Sequence, residues 1–228
     1  MKILAFVLAF IGERLRGRPI VVDHNLPFSY LISTLWSYLV VYLRGLFVKP
    51  SVLIYGGVCI RARSKLRLGN GTVIKEGAYL DAMGLEGMFF GDRVSIGAFC
   101  RISVTGSLSS LGKGIWIGED SAIGDFSHIG GAGGVVIGRD TIAGAYLSIH
   151  PENHNFADPH TPIRLQGVNR QGVEIGDNCW LGAKVTILDG TKIGNGCVVA
   201  AGAVVRGVFP DNVIIGGVPA KILRKRCE

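Results

Sequence analysis

Residues 174–205 read EIGDNCWLGAKVTILDGTKIGNGCVVAAGAVV. Aliphatic residues recur at every sixth position, Ile175, Leu181, Ile187, Ile193, Val199 and Val205, and glycine directly follows Ile175 and Ile193. A helix of 3.6 residues per turn cannot hold every sixth residue on one face, and an isolated strand has no need of glycine at fixed intervals. A short strand with a turn every six residues satisfies both patterns. Three such units close one triangular coil, and stacked coils pair their strands in parallel along the axis.

The same register extends toward the N-terminus through Leu68-Ile74-Leu80, Phe90-Ile96-Ile102, Ile117-Ile123-Ile129 and Ile137-Ala143-Ile149. Glycine follows the opening residue of every triplet, at Gly69, Gly91, Gly118, Gly138, Gly176 and Gly194. Four residues after each opening stand Thr72, Val94, Ser121, Thr141, Cys179 and Cys197. The pattern predicts a prism filled with aliphatics, glycine where a Cβ would clash in the turn, and small residues in tight corners. Cys179 and Cys197 are then structural, not metal ligands. Six coils at roughly 4.8 Å each predict a height of about 25–30 Å, with a less regular coil before them around Ile54 and Ile60.

Composition agrees. The 228 residues include 34 glycines, yet 48% are hydrophobic and 18% charged, which excludes disorder. Glycine has no three-residue period, which excludes collagen. The net charge of +7 is concentrated at the ends: Lys2, Arg14, Arg16, Arg18, Arg44 and Lys49 in residues 1–50, and Lys221, Arg224, Lys225 and Arg226 in the tail. No interior run mixes stacking aromatics with Lys or Arg, so nucleic acid is not an expected partner. Five cysteines without a CxxC pair suggest neither a disulfide frame nor a zinc knuckle, and free thiols fit a reducing cytoplasm.

Three regions follow: a helical, apolar and basic extension over 1–50, a β-helix over 51–220, and a basic tail over 221–228. Residues 24–43 contain no Asp, Glu, Lys or Arg. Three placements fit them. One is a helix on the inner face of the cell membrane, with Arg14, Arg16 and Arg18 near anionic headgroups. The second is packing against the chain's own domain or a partner subunit, and the third is a single span.

Successive coil openings are 22, 27, 20, 38 and 18 residues apart, as the numbers of Leu68, Phe90, Ile117, Ile137, Ile175 and Ile193 give. A bare coil takes 18, so the largest insertion falls between Ile149 and Ile175. A long loop in a compact repeat is usually functional. This one, HPENHNFADPHTPIRLQGVNRQG, holds His150, His154 and His160. His128 ends a hexapeptide and faces solvent or a subunit contact, and His24 lies in the N-terminal linker.

Three stretches, ENHNFADPHTPI, EIGDNCWLGAKVTILDGTKIGNG and AAGAVV…PDNVIIGGVPAKILRKR, resemble the hexapeptide-repeat acyltransferases, in particular galactoside, maltose and polysaccharide O-acetyltransferases. The resemblance implies an all-β fold, a left-handed parallel β-helix, with acetyl-CoA as donor, no metal, and a homotrimer whose sites lie between subunits. In that family the catalytic histidine lies 17 residues after the opening residue of its coil. Counting from Ile137 gives His154 as general base, with His150 as the alternative. By the same resemblance the backbone N–H of Ala183 is the oxyanion donor. Gly182, Ala183, Ala201 and Gly202 line a pantetheine slot, and Lys221 and Arg224 meet the nucleotide end of the cofactor. Trp180 lines the acyl and acceptor junction. Arg206-Gly207 stands where the family often has Thr-Lys, so Arg206 takes the charge of the neighbouring position. Gly124 replaces an acceptor-binding Asn, which leaves the adjacent Asp125 as the acceptor contact. The family's N-terminal acceptor segment has no counterpart in residues 1–50, which argues against free galactoside or maltose.

The expected activity is acetyl transfer to a sugar hydroxyl of a cell-surface polysaccharide or its lipid-linked precursor. N-acetylation of an amino sugar is the alternative within the class. A zinc carbonic-anhydrase-like site from His128, His150 and His154, or a non-catalytic scaffold, are alternatives outside it.

Overall fold

A computed structural model describes residues 6–10, 12–13, 21–23, 25–107 and 109–227. Arg14, Arg16, Arg18 and His24 lie outside the described residues, so the headgroup role expected of the arginines and the linker placement of His24 rest on sequence.

The repeat register is realised rung by rung. One face of the prism pairs Leu68, Phe90, Ile117, Ile137, Ile175 and Ile193 in parallel. The next face pairs Ile74, Ile96, Ile123, Ala143, Leu181 and Val199. The last pairs Leu80, Ile102, Ile129, Ile149, Ile187 and Val205. In the order a coil follows, these are here the opening, middle and closing faces. The result is a left-handed parallel β-helix. The irregular first coil is present at Leu53–Ile54 and Cys59–Arg61. A partial last coil ends in Val213–Gly217, which makes the prism taller than the six expected coils. Ala220–Lys225, counted in sequence with the tail, is a strand that turns back antiparallel along Val213–Gly217.

The aliphatic residues form one axial core, with Ile74, Leu80, Phe90, Ile96, Ile102, Ile117, Ile129, Ile137 and Ile149 wholly buried. Each such side chain is worth about 1.5–3 kcal/mol of burial. The six small residues sit inside the corner between the opening and middle faces, all buried. There they stitch rung to rung: the Ser121 hydroxyl donates to the Gly138 carbonyl (2.8 Å), Thr141 to Gly176 (3.0 Å), and the Cys179 thiol to Gly194 (3.2 Å). Burial pushes the Cys179 thiol up to about 11, so it stays neutral. The glycines are needed for stacking distance. A Cβ on Gly118 would stand 2.5 Å from the backbone nitrogen of Arg139 on the next rung. The left-handed φ falls two residues further on, at Arg93, Asp120, Asp140 and Asn178.

Every insertion leaves the prism at one edge, between the closing and opening faces: residues 82–86, 104–113, 131–134 and 151–172. The other two edges are bare turns. The insertions therefore cluster along a single edge.

The extension is helical where expected. Helix α1, Phe28–Leu46, packs Leu31, Val41 and Gly45 inward over the first coil. Val41 joins Leu53 and Val73 in a cluster with Tyr38, Tyr42 and Tyr55. At Gly45 a Cβ would overlap the Val52 carbonyl, so only glycine lets the helix sit this close. The helix thus packs on its own domain by one face. Among the described residues no helix is long and apolar enough to cross a membrane.

Candidate active site

The 151–172 insertion folds back on the prism as a small antiparallel ladder, Asn153–His154 against Val168–Asn169. Its base is anchored by Asp189, buried on the following coil, whose carboxylate accepts the amides of Gln171 (2.9 Å) and Gly172 (2.8 Å). Its tip is closed by Asp158, which accepts the His160 amide (2.9 Å) and the Thr161 hydroxyl (2.6 Å). These bonds, the Thr161 hydroxyl foremost, hold the Asp158 carboxyl below its ordinary range. His160 therefore belongs to a structural turn.

Between this ladder and the 104–113 insertion lies a cleft of about 660 Å³, lined by His128, His150, Glu152, His154, Arg164 and Arg170 among others. Arg170 ties its two walls together. It pairs with Glu152 at 2.5 Å and donates to the Leu111 carbonyl (3.2 Å). His154 is exposed in the cleft. Deeper in, the His128 and His150 rings stand 5.6 Å apart on adjacent rungs, and His150 Nε2 shares a hydrogen bond with the Ser148 hydroxyl (2.8 Å). Burial above all, then the charges of His150 and Arg101, lower the pKa of His128 and favour its neutral form. The three imidazoles share one cleft, yet among the described residues no three His, Cys, Asp or Glu side chains are grouped to hold a metal ion.

The expected cofactor residues lie elsewhere. Gly182, Ala183, Ala201 and Gly202 occupy the edge between the middle and closing faces, so the closing face separates them from His154. Along that edge the register climbs from Ala183 to Ala201 to Gly217, because Leu181, Val199 and Ile215 are paired two residues earlier. Lys221, opposite Gly216, stands at the upper end, and Arg224 lies further along the same strand. The amides of Ala145, Ala183 and Ala201 donate to no acceptor among the described residues, whereas two rungs below Ala145 the Ala98 amide is bonded to Asp125 (2.8 Å). A vertical row of open N–H groups thus leads to a cationic end. Trp180 is exposed on the middle face beside this row. Arg206 follows Val205 and lies across the closing face from it. Asp125 is on the open-amide edge, with one carboxylate oxygen taken by Ala98 and 3.7 Å from Lys75. At the neighbouring Gly124 a Cβ would lie 2.5 Å from the Ala145 nitrogen, so the next rung can approach only a glycine there.

Sequence reasoning missed three features. Phe99, Phe126 and Tyr146 form a stacked, exposed ladder along the same edge, with centroids 5.4 and 5.3 Å apart and φ of 54°, 58° and 62°. Each lies nine residues after its coil opening, the spacing that also gives Lys184, so the repeat itself carried the signal. The Glu152–Arg170 bridge and the Ser148–His150 bond had no signal in spacing.

A coiled prism of six-residue rungs is the architecture of the hexapeptide-repeat transferases. Residues 172–207 match the family described as bacterial transferase hexapeptide (six repeats). WbbJ of Escherichia coli K12, which bears the name of a lipopolysaccharide biosynthesis O-acetyl transferase, is 38% identical over 144 residues, covering 60% of this chain and 70% of WbbJ. WcaF of the same organism, named for colanic acid biosynthesis, is 30% identical and covers 63% of this chain and 72% of WcaF. The crystal structure of a point mutant of AntD, an N-acyltransferase from Bacillus cereus solved with dTDP-4-amino-4,6-dideoxyglucose and coenzyme A, shares the fold. Its TM-score is 0.50 at 22% identity, over 77% of this chain and 80% of AntD. The chain belongs to the hexapeptide-repeat acyltransferase family and is an acyltransferase.

Proposed function

We propose that the protein transfers the acetyl group of acetyl-CoA to a hydroxyl on a carbohydrate of a cell-surface polysaccharide or its lipid-linked precursor, with His154 as general base. The row of open amides at Ala183 and Ala201, ending at Lys221, carries this reading. It matches a pantetheine arm lying along the edge with phosphates at the cationic end. The names of WbbJ and WcaF support a polysaccharide acceptor.

In the reaction the acceptor hydroxyl gives its proton to the His154 imidazole as its oxygen attacks the thioester carbonyl. Charge gathers on the carbonyl oxygen, where the Ala183 N–H donates to it. The C–S bond then breaks, the sulfur takes the proton back from the imidazolium, and the products are an acetyl ester and the free thiol of coenzyme A. Trp180 borders the junction. No covalent enzyme intermediate is needed.

One chain does not bring His154 to Ala183, because they flank opposite edges of the closing face. We therefore read the active unit as a homotrimer in which the loop edge of one copy meets the open-amide edge of the next. Acetyl-CoA supply puts the reaction on the cytoplasmic side.

The test is thiol release from acetyl-CoA that depends on a polysaccharide-derived acceptor. Lys221→Ala combined with Arg224→Ala should raise the KM for acetyl-CoA by about tenfold or more while changing kcat less, the loss of uniform binding. Absence of acceptor-dependent thiol release across carbohydrate acceptors would remove the reading, and an unchanged KM would remove the cationic end of the slot.

A further inference from the structure

Helix α1 has a second face that the β-helix does not cover. Phe28, Ile32, Trp36, Leu39, Leu43, Leu46 and Phe47 are all exposed, from 43% at Leu46 to 81% at Phe47. Their spacing keeps them within about 100° of arc on a 3.6-residue helix, roughly opposite the buried Val41 and Gly45. The helix is 19 residues, about 28 Å at 1.5 Å per residue, so the stripe runs its whole length. Isolated exposed apolar residues need no explanation, but a continuous stripe does.

The chemistry around the stripe is one-sided. Residues 24–75 carry Arg44, Lys49, Arg61, Arg63, Lys65, Arg67 and Lys75 and not one Asp or Glu. Arg61 and Lys75 meet carboxylates from later coils, Asp81 and Asp125. Arg44, Lys49, Arg63, Lys65 and Arg67 have no carboxylate ion pair among the described residues. At the C-terminal end of the helix a groove of about 410 Å³ is lined by Val48, Lys49, Arg63 and Arg67 with Leu66 and Leu68. Arg63 donates to the Phe47 and Val48 carbonyls there, which satisfies the helix end and fixes its charge next to the apolar stripe. Lys49 donates to the Leu68 carbonyl (2.8 Å) and also borders a neighbouring groove, further up the opening face, that holds Asp92, Glu119 and Asp177 with Arg139.

We propose that this face docks on an anionic phospholipid surface, the stripe from Ile32 to Phe47 entering the acyl boundary and Lys49, Arg63 and Arg67 meeting lipid phosphates. A protein partner would need only the apolar stripe. The adjoining carboxylate-free groove is what a layer of phosphates above hydrocarbon selects. The helix lies flat, because its inner face is committed to the first coil. The docking stands independently of the acetyl-transfer reading, and it does not rely on Arg14, Arg16 or Arg18.

The test is co-sedimentation of the full chain with vesicles of phosphatidylcholine alone or with 30% phosphatidylglycerol, about the anionic content that gives a useful surface potential. The protein should bind the anionic vesicles at least about tenfold more tightly than the neutral ones, and rising salt should weaken that binding. Trp36→Ser with Leu39→Ser and Leu43→Ser should abolish binding to both. These side chains face outward, so circular dichroism and thiol release should match wild type. Arg67→Glu should remove the preference for phosphatidylglycerol and leave weak binding to both. Equal vesicle binding by the triple variant, no binding by wild type, or a fall in oligomer mass of the triple variant by light scattering would each overturn the proposal, the last by showing a protein contact on the stripe.

Discussion

Replacing His154 by alanine should lower kcat by roughly 10²–10⁴-fold, the usual worth of a positioned general base, or about 3–5 kcal/mol of barrier. The KM for acetyl-CoA should stay near wild type, because the open amides and Lys221 lie on another edge of the prism. Fold should be retained, since the imidazole is exposed and the ladder to Val168 is a backbone pairing. His150→Ala is the comparison. Its Nε2 is already engaged by the Ser148 hydroxyl and its ring lies beside His128, so it is poorly placed to take a proton from an acceptor at the cleft mouth, and its loss should be mild. Turnover abolished by His150→Ala but retained by His154→Ala would mean that the count from Ile137 chose the wrong histidine. If both substitutions are silent, acid–base catalysis from this loop is excluded.

The core was legible because its signal is periodic and strict. Each aliphatic at a sixth position must point down the axis, and each glycine after an opening residue must let the next rung approach. Nothing in the loops alters either requirement, so all the triplets met in register. The largest insertion could be located by subtraction, and with it His150, His154 and their shared edge. What subtraction could not show is that all four insertions leave by the same edge, which let 104–113 form the second wall of the cleft. Nor could spacing show that Arg170 reaches both Glu152 and Leu111, since such pairs depend on where two irregular loops happen to meet. The helix shows the same division. Lack of charge over 24–43 left membrane surface, packing and a span all open, and it did not reveal that only Leu31, Val41 and Gly45 would be buried. The remaining apolar residues were left facing outward, because one helix over one coil has only one side to pack.

Mixing two inactive variants should restore activity. The first is His154→Ala. The second is Ala183→Pro, chosen because Ala183 precedes the left-handed Lys184 (φ 59°) in a tight turn. Proline is favoured at that second turn position, so the substitution removes the N–H while the turn persists. Loss of an oxyanion donor should cost about 10²–10³-fold in kcat. Each variant alone therefore turns over at about one percent of wild type or less by the same estimates. If each site takes its histidine edge from one subunit and its amide edge from the neighbour, a co-expressed one-to-one mixture recreates intact sites wherever an Ala183→Pro subunit supplies His154 to a His154→Ala subunit. Random assembly around a threefold axis makes that combination in about a quarter of the sites. Recovery to about a quarter of wild-type kcat, in a species whose mass by light scattering is three chains, is the expected result. A monomer at micromolar concentration, or a mixture no more active than its components, would leave the histidine and the amide row on opposite edges of one prism. The base for any chemistry at the Ala183 edge would then have to come from that edge itself.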